Sequence, residues 1–359
     1  APVVARVDID DPALNDEQAV AIIGGGYDPV HDTPTYPATP DADGAGIYML
    51  DLETGDVIWR AGSDAGADLR LEAMTRSIAN TLTVIDLDGN RVADRMYAAD
   101  VGGQIWRFDL FPGQAPAAAV TGGVVARVGA EGIADPTDAD TRRVYNAPDV
   151  ALFEDPIESR RFLSVSIGTG YRAHPLNTSA TDRFYSFRDE NVFTRLSQIE
   201  YENYVAATDS DFIEVSGQTN VVVQTPARGW KLTLPANEAI LTDSRTFDGK
   251  VFFVSFAPDQ VAADECTVRV GRNFLYSVSV VNGDPLVNNL DEVLDPDAER
   301  KRTLQQGGIA PTPRFLFPSA EEGCTGAACN PPPVGCIGVE CFDPGFRPRP
   351  VRTLWTQDG

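Results

Sequence analysis

Oxygen-bearing side chains recur at every second position in the stretch DLDGNRVAD. Asp86, Asp88 and Asn90 are followed by Val92, whose backbone carbonyl is placed to point the same way, and then by Asp94. This order matches the alternate ligand positions of an EF-hand calcium loop, where a tightly curled backbone aims every second residue inward. Carboxylates and an amide suit calcium, which accepts many oxygens, better than the strictly octahedral magnesium. The pattern therefore predicts a Ca²⁺ site formed by Asp86, Asp88, Asn90, Val92 and Asp94.

Two positions of the stretch depart from the calcium-loop pattern. Arg91 stands where such loops usually have Gly, and a non-Gly residue at positive φ costs on the order of 1 kcal/mol. Tyr97 stands where a bidentate Glu usually closes the shell, so Asp94 must close it directly. The alternative interpretation is a solvated acidic turn, a common feature of so acidic a chain.

The composition excludes several classes of function. The chain has 359 residues, 43% of them hydrophobic, with 53 Asp and Glu against 29 Lys and Arg, for a net charge of −24. Such a surface repels phosphate backbones and anionic lipid, so no nucleic-acid partner is expected. No apolar run reaches the ~18 residues that span a membrane. The first residues, APVVARVDID, lack the regions of a signal peptide. We therefore expect a soluble, already processed protein without a membrane span.

Other acidic and histidine-containing stretches are weaker candidates for chemistry. In DADGAG, Asp41 and Asp43 are not followed by further ligands, so an ordinary turn is predicted there. His31 and His174 lie far apart in sequence, and both are expected to be structural turn residues. No serine-hydrolase elbow, zinc-protease motif or phosphate loop occurs. The protein is therefore predicted not to be an enzyme.

The strands that must position the acidic loop recur in four similar copies. Each copy has an apolar strand, an acidic connection, a second strand ending in Gly or a turn, and a third strand with a central aromatic residue. The copies begin at PVVARVDI, TLTVIDL, DVALFE and AILTDSRTF, and their central aromatic residues are Tyr48, Trp106, Tyr185 and Tyr276. One copy cannot bury both faces of its sheet, so the copies must stack. An all-β fold is predicted, a modified β-propeller that is either seven-bladed or truncated at its N-terminus.

The predicted propeller covers residues 1–320, with four to five blades visible. Its largest insertion, at about 190–225, carries Val192, Leu196, Ile199 and Tyr204 at near-helical spacing. We expect this insertion to pack over an edge of the propeller. Residues 321–359 are predicted to form a Cys-rich loop and a C-terminal strand that packs on the propeller.

The cysteines indicate a compartment. Four of them, Cys324, Cys329, Cys336 and Cys341, crowd into a Gly- and Pro-rich stretch, and Cys266 stands apart. The spacing lacks the paired knuckles of common zinc sites, so two disulfides are favoured over zinc. Disulfides indicate an oxidising compartment. The three possible pairings of the four cysteines stay open, as does the partner of Cys266.

Several blocks, taken together and in order, resemble the C-terminal domain of the PilY family. They are VIDLDGNRVADRMYAADVGGQIWRFDL, SIGTGYRAHPLNTSATDRFYSFRD, SRTFDGKVFFVSFAPD and the tail from GIAPTPRFLFP through CIGVECF to VRTLWTQ. PilY proteins are type IV pilus biogenesis factors and tip-associated adhesins of Gram-negative bacteria. The resemblance implies a modified propeller whose calcium loop, carried onto residues 86–94, regulates pilus extension and retraction. Family members also have a long N-terminal region that is absent from this chain.

The resemblance also implies partners and a location. Minor pilins or a pilus-tip complex are the expected partners, with a host receptor or glycan as a further one. The location would be extracellular, at the pilus tip or outer-membrane surface, reached through the periplasm. Two alternatives remain: a propeller adhesin with a purely structural calcium, and, less favoured, a quinoprotein-dehydrogenase-like propeller. The second alternative is less favoured because this chain lacks the adjacent cysteines that quinoprotein dehydrogenases place over their quinone.

Overall fold

A computed structural model describes residues 1–10, 17–155, 159–259, 270–286, 295–318 and 332–346. Within these residues the chain forms four sheets of similar size, followed by one small sheet. Each large sheet is built around antiparallel strands that are consecutive in sequence, as in a meander.

The first two sheets follow the first two sequence copies. The first sheet has the order β1 (Val3–Val7), β2 (Gln18–Gly24), β3 (Gly46–Asp51), β4 (Val57–Gly62) and β5 (Leu69–Arg70). The second sheet runs from β6 (Thr83–Ile85) through β7 (Arg95–Ala99), β8 (Gln104–Leu110) and β9 (Val120–Arg127) to β13 (Ala207–Thr208). The strand β13 comes from the insertion and pairs parallel with β9, at the edge of the sheet.

The remaining sheets follow the other copies and the C-terminal segment. The third sheet has the order β10 (Asp149–Glu154), β11 (Arg161–Gly168), β12 (Arg183–Asp189), β15 (Gly229–Thr233) and β14 (Ile213–Glu214). In the fourth sheet, β16 (Ala239–Ile240) and β17 (Arg245–Phe247) both pair with β18 (Lys250–Ala257), which is followed by β19 (Arg272–Ser279) and β20 (Lys301–Leu304). The small sheet contains β21 (Arg314–Leu316), β22 (Val334–Ile337) and β23 (Glu340–Phe342).

Helical structure within the described residues is confined to short segments. The α-helices are α1 (Pro116–Ala119), α2 (Gln198–Glu202) and α3 (Pro296–Glu299), and single 3₁₀ turns occur at Pro29–Asp32, Ala130–Gly132, Asp138–Asp140 and Asp209–Asp211. Across the same residues, no helix is long and apolar enough to cross a bilayer.

The sheets stack face to face because alternate residues of each central strand enter different cores. Met96 of β7 packs between the first and second sheets, whereas its neighbour Tyr97 packs between the second and third. Phe184 and Tyr185 of β12 divide in the same way between the cores on either side of the third sheet. A stack of twisted four- or five-stranded sheets with a core between each neighbouring pair is the packing of a β-propeller.

The first strands of neighbouring sheets lie side by side. β1 contacts β6, and β10 contacts β17. The Thr83 hydroxyl, in β6, donates to the carbonyl of Pro148, which immediately precedes β10. The connection that follows β6 therefore starts from a strand whose position is fixed by both neighbouring sheets.

The predicted disulfide chemistry is confirmed for one pair. Cys336 and Cys341 face each other across β22 and β23 and are joined by a disulfide. Cys266, Cys324 and Cys329 lie outside the described residues. The small sheet crosses the boundary predicted at residue 320, since β21 pairs with β22, and it packs against the outer face of the fourth sheet through Phe252 and Ile337.

Candidate metal site

The acidic stretch 86–94 is the complete connection between β6 and β7, and both of its ends are tied down. The Asp94 amide donates to the Ile85 carbonyl over 2.9 Å, which closes the connection as a narrow loop. The Ala93 amide donates to the carbonyl of Arg6 over 2.8 Å, which fixes the loop to the first sheet. The loop is therefore held between two sheets of the stack.

Inside the loop, backbone amides bind the side chains of the alternate residues and curl the chain around them. The two carboxylate oxygens of Asp86 accept from the amides of Gly89 and Arg91, each over 2.7 Å. Asp88 accepts from the amide of Asn90 over 3.0 Å, and the Asn90 side-chain oxygen accepts from the Val92 amide over 2.7 Å. The alternation predicted from the sequence is thus present as a series of overlapping side-chain turns.

Three of the five predicted site residues converge. Asp86, Asp88 and Asp94 each offer a carboxylate oxygen, and these oxygens lie within 4.8 Å of one another. Calcium binds oxygens at about 2.3–2.6 Å, so oxygens on opposite sides of one ion lie up to about 5 Å apart. The three carboxylates therefore fit around a single hard cation, and their oxygens are of the kind that calcium prefers.

The other two predicted residues lie at the rim of this cluster. Asn90 is exposed, and its side-chain amide nitrogen donates to Asp88 over 3.2 Å. The side chain of Val92 is buried and lines a small apolar cavity with Val7 and Ile9. Val92 could therefore bind a cation only through its backbone carbonyl.

The two departures from the calcium-loop pattern have visible consequences. Arg91 adopts φ 73°, the left-handed conformation that the pattern requires and that Gly adopts more easily. Tyr97 lies inside β7, fully buried, and its hydroxyl donates to Asp189 over 2.6 Å. Burial and the carboxylate of Asp189 raise the pKa of Tyr97 well above its usual value, so it is a neutral core residue and not a ligand of the loop.

A residue that sequence reasoning missed lies against the cluster. Arg195 belongs to the insertion, 101 positions from Asp94, and its Nη2 contacts the Asp94 Oδ1 at 2.5 Å. The other oxygen of Asp94 accepts from the Leu87 amide over 2.6 Å. No local spacing in the sequence relates Arg195 to the loop, because the pairing depends on how the insertion packs.

The insertion is bound to the second sheet by a buried charge network. We call residues 191–196 the strap. Arg95 donates to the carbonyls of Asn191 and Thr194, each over 2.9 Å, and to that of Val192 over 3.0 Å. Asp109 accepts from the Leu196 amide over 2.9 Å. The strap is therefore fastened by side chains of β7 and β8.

The network also joins the second and third sheets. Arg107 donates to both oxygens of Asp189, each over 2.9 Å, and to both oxygens of Asp109, over 3.0 and 2.9 Å. Burial alone would lower the pKa of Arg107, but the surrounding Asp and Tyr side chains outweigh it and raise that pKa. All members are almost completely buried, so the network stays charged only because its charges are paired.

The helical expectation for the insertion is correct only in part. Val192 and Leu196 are buried as expected, but Ile199 is 70% exposed. The reason is that α2 begins only at Gln198, behind a capping box of Ser197 and Glu200. The buried pair therefore belongs to the extended strap and not to a helical face.

The two histidines occupy turns. His31 lies in the 3₁₀ turn Pro29–Asp32 and is fully buried, with its Nε2 2.8 Å from Asp41. His174 closes a turn that begins at Tyr171, and its ring contacts the carbonyl of Asp32. These positions agree with structural roles.

Comparison with known proteins identifies the fold of this chain. No protein-family model and no curated protein matches the chain. Among solved structures, the C-terminal domain of Pseudomonas aeruginosa PilY1 matches with a TM-score of 0.60 at 17% sequence identity, over 96% of this chain and 71% of that chain. This chain has the fold of that domain. The PilY1 match confirms the predicted all-β propeller and bears out the resemblance at the level of the fold.

A second solved structure is a weaker neighbour than the PilY1 domain. The quinohemoprotein alcohol dehydrogenase from Comamonas testosteroni matches with a TM-score of 0.34 at 13% identity, over 88% of this chain and 41% of that chain. A likeness at that level carries no weight for fold or function.

Proposed function

We propose that this chain is the PilY-like propeller of a type IV pilus protein, and that residues 86–94 bind a regulatory calcium ion. The observation that carries the proposal is the convergence of Asp86, Asp88 and Asp94 in a chain with the fold of the PilY1 C-terminal domain. The sequence blocks that resemble the PilY family, present in family order, support the same assignment.

The chemistry of the loop favours calcium over other cations. The site offers carboxylate and amide oxygens, which are hard ligands, and the described residues place no sulfur or imidazole among them. Three adjacent carboxylates repel one another, and a divalent cation removes that repulsion. When bound, calcium supplies charge neutralisation, while Asp86, Asp88 and Asp94 hold it and the backbone amides of the loop orient their carboxylates.

The position of the loop supports the proposed regulatory role. Its ends join the first two strands of the second sheet, Ala93 is bound to the first sheet, and Asp94 contacts the strap. Calcium would therefore stiffen a connection that touches two sheets and the insertion at once. We propose that this stiffened surface engages minor pilins or a pilus-tip complex outside the cell and regulates pilus extension and retraction, without any catalytic role.

Calorimetric titration with calcium tests the metal proposal. Asp88 is the best residue to change, since it is exposed and, in the hydrogen bonds described above, its carboxylate accepts only from the backbone and side-chain amides of Asn90. We expect Asp88→Ala to weaken calcium binding by at least about tenfold, as removing a charged ligand does. The matched control is Asp56→Ala, which removes an exposed carboxylate from the turn between β3 and β4. Equal calcium binding by wild type and Asp88→Ala would refute the proposal.

A motility assay separates regulation from simple attachment. If the loop regulates the pilus, cells carrying Asp88→Ala should lose calcium-dependent twitching. If the propeller is an adhesin with a purely structural calcium, the same change should lower the melting temperature and the binding to a glycan array while leaving retraction intact.

A further inference from the structure

Asp94 receives hydrogen bonds from two separate parts of the chain. Leu87 of the same loop donates its amide to one carboxylate oxygen, and Arg195 of the strap donates its guanidinium to the other. The Asp94 side chain is 6% exposed and that of Arg195 is 35% exposed. The contact is therefore shielded from solvent on the Asp94 side, which strengthens it relative to a surface ion pair.

The backbone on both sides of Arg195 is fixed. The Thr194 carbonyl accepts from Arg95 and also from Arg107, over 2.9 and 2.7 Å. The Leu196 amide donates to Asp109, and the Leu196 carbonyl accepts from the Thr121 hydroxyl over 2.6 Å. Because its neighbours are held by buried groups, the backbone of Arg195 is held within side-chain reach of Asp94.

We propose that Arg195 is a built-in counter-cation of the loop, which pairs with Asp94 when calcium is absent and competes with calcium for that carboxylate. This inference rests on the proposed function. A guanidinium next to Asp94 neutralises part of the charge of the three clustered carboxylates and keeps the metal-free loop closed. A bound divalent cation would then sit close to that positive charge, so the pair lowers the affinity of the loop for calcium.

Thermodynamic linkage makes the proposal quantitative. Any free energy by which Arg195 stabilises the metal-free protein, and which is lost when calcium binds, must reappear as weaker calcium binding. Replacing Arg195 by a neutral residue should therefore destabilise the metal-free protein and tighten calcium binding by matching amounts. For an ion pair that is partly exposed on one side, we expect a change in affinity of about fivefold.

The experiment measures calcium dissociation constants by calorimetry and melting temperatures in chelator, for wild type, Arg195→Gln and Arg195→Lys. We expect Arg195→Gln to bind calcium about fivefold more tightly at low salt and to melt lower without calcium, with both differences shrinking at high salt. Arg195→Lys keeps the charge and should bind calcium nearly as wild type does. The matched control is Arg70→Gln, which removes the same charge from the Arg70–Glu72 pair outside the loop and strap.

The outcomes separate this inference from the proposed function. If neither wild type nor Arg195→Gln binds calcium, both are refuted. If both bind calcium with equal affinity, the counter-cation role is refuted and the calcium site stands. Weaker binding by Arg195→Gln would also overturn the inference, because it would mean that Arg195 orients Asp94 for the cation and does not compete with it. A near-ultraviolet circular dichroism spectrum matching that of the wild type establishes that Arg195→Gln is folded.

Discussion

Two acidic loops of the propeller have similar composition and opposite arrangements. The loop that contains DADGAG, at 41–46, directs Asp41 into a fully buried position between His31, Arg76 and Ser77. The loop 86–94 instead directs its carboxylates toward one another. Backbone amides donate to Asp86, and the guanidinium of Arg195 reaches only Asp94. In the first loop the protein supplies the positive charge, and in the second it leaves most of that charge to be supplied.

The pKa values of the carboxyl groups in and beside the first loop show how fully they are paired. Burial alone would raise the pKa of Asp41, but hydrogen bonds from His31 and Ser77 outweigh it and lower the pKa to about 2. Asp28, beside the same loop, accepts the amides of Val30, Asp43 and Ala42, which also lower its pKa. The number of acidic residues in a loop therefore says little about metal binding. What matters is whether the fold has already paired them.

The largest expected change in stability comes from the loop whose carboxylate, Asp41, is already paired within the protein. Asp41→Ala leaves the buried His31 and Arg76 without their shared carboxylate, so we expect the free energy of unfolding to fall by about 3–5 kcal/mol. Denaturant titrations with and without calcium should show the same loss, because this loop needs no cation. In chelator, Asp88→Ala should differ from wild type by no more than about 0.5 kcal/mol. A calcium-dependent loss in Asp41→Ala would erase the distinction between the loops.

Lowering the pH should remove the stability that the pairing of Asp41 contributes. Its folded-state pKa is depressed to about 2, so its contribution is present above the ordinary carboxyl pKa and is lost as the pH falls from about 4 toward 2. We expect wild type to lose about 2 kcal/mol more than Asp41→Ala over that range, measured by denaturant midpoints in chelator. Parallel curves for the two proteins would contradict the assignment.

The buried carboxyl group of Asp100 should change stability with pH in the opposite direction to Asp41, and over a different pH range. Burial raises the pKa of Asp100 to about 7, despite the hydrogen bonds that it accepts from Gln104 and Trp106. Because the folded state holds this proton more tightly, stability from this group should decline as the pH rises from about 4 through 7. The two effects can be told apart, since they lie on opposite sides of pH 4.

The smallest expected effect concerns the tight turns of the two loops. Arg91 has φ 73°, so Arg91→Gly should relieve backbone strain and stabilise the protein by up to about 1 kcal/mol, partly offset by the greater freedom of Gly in the unfolded chain. Gly44, with φ 82°, is the matched position. A Cβ there would lie 2.7 Å from the Gly26 carbonyl oxygen and 2.8 Å from the Ser77 hydroxyl oxygen.

Gly44→Ala should therefore destabilise the protein by at least about 1 kcal/mol, the opposite direction from Arg91→Gly. Thermal melts of the two variants in chelator provide the measurement. If both changes shifted stability in the same direction, the two turns would not differ as described.

Local patterns made a large part of the fold predictable. The strands of each copy were found because apolar and β-branched residues alternate along them, and the alternation reports the two faces of a sheet. The strands β9, β15 and β20 were not assigned to copies, and β13 could not have been, since Ala207–Thr208 joins the second sheet only after the chain has passed through the third. Pairing of distant segments leaves no periodic signal.

For the candidate site, the sequence by itself determined the alternating oxygens, because residues two apart in a curled loop must point the same way. It also determined that Arg91 would be forced to positive φ. Only the tertiary structure decided which charges meet those oxygens. Arg195 reaches Asp94, and His31 and Arg76 reach Asp41, because packed sheets and a fastened strap place them there. Coulomb attraction depends on distance in space, and distance between residues far apart in sequence is a property of the folded chain.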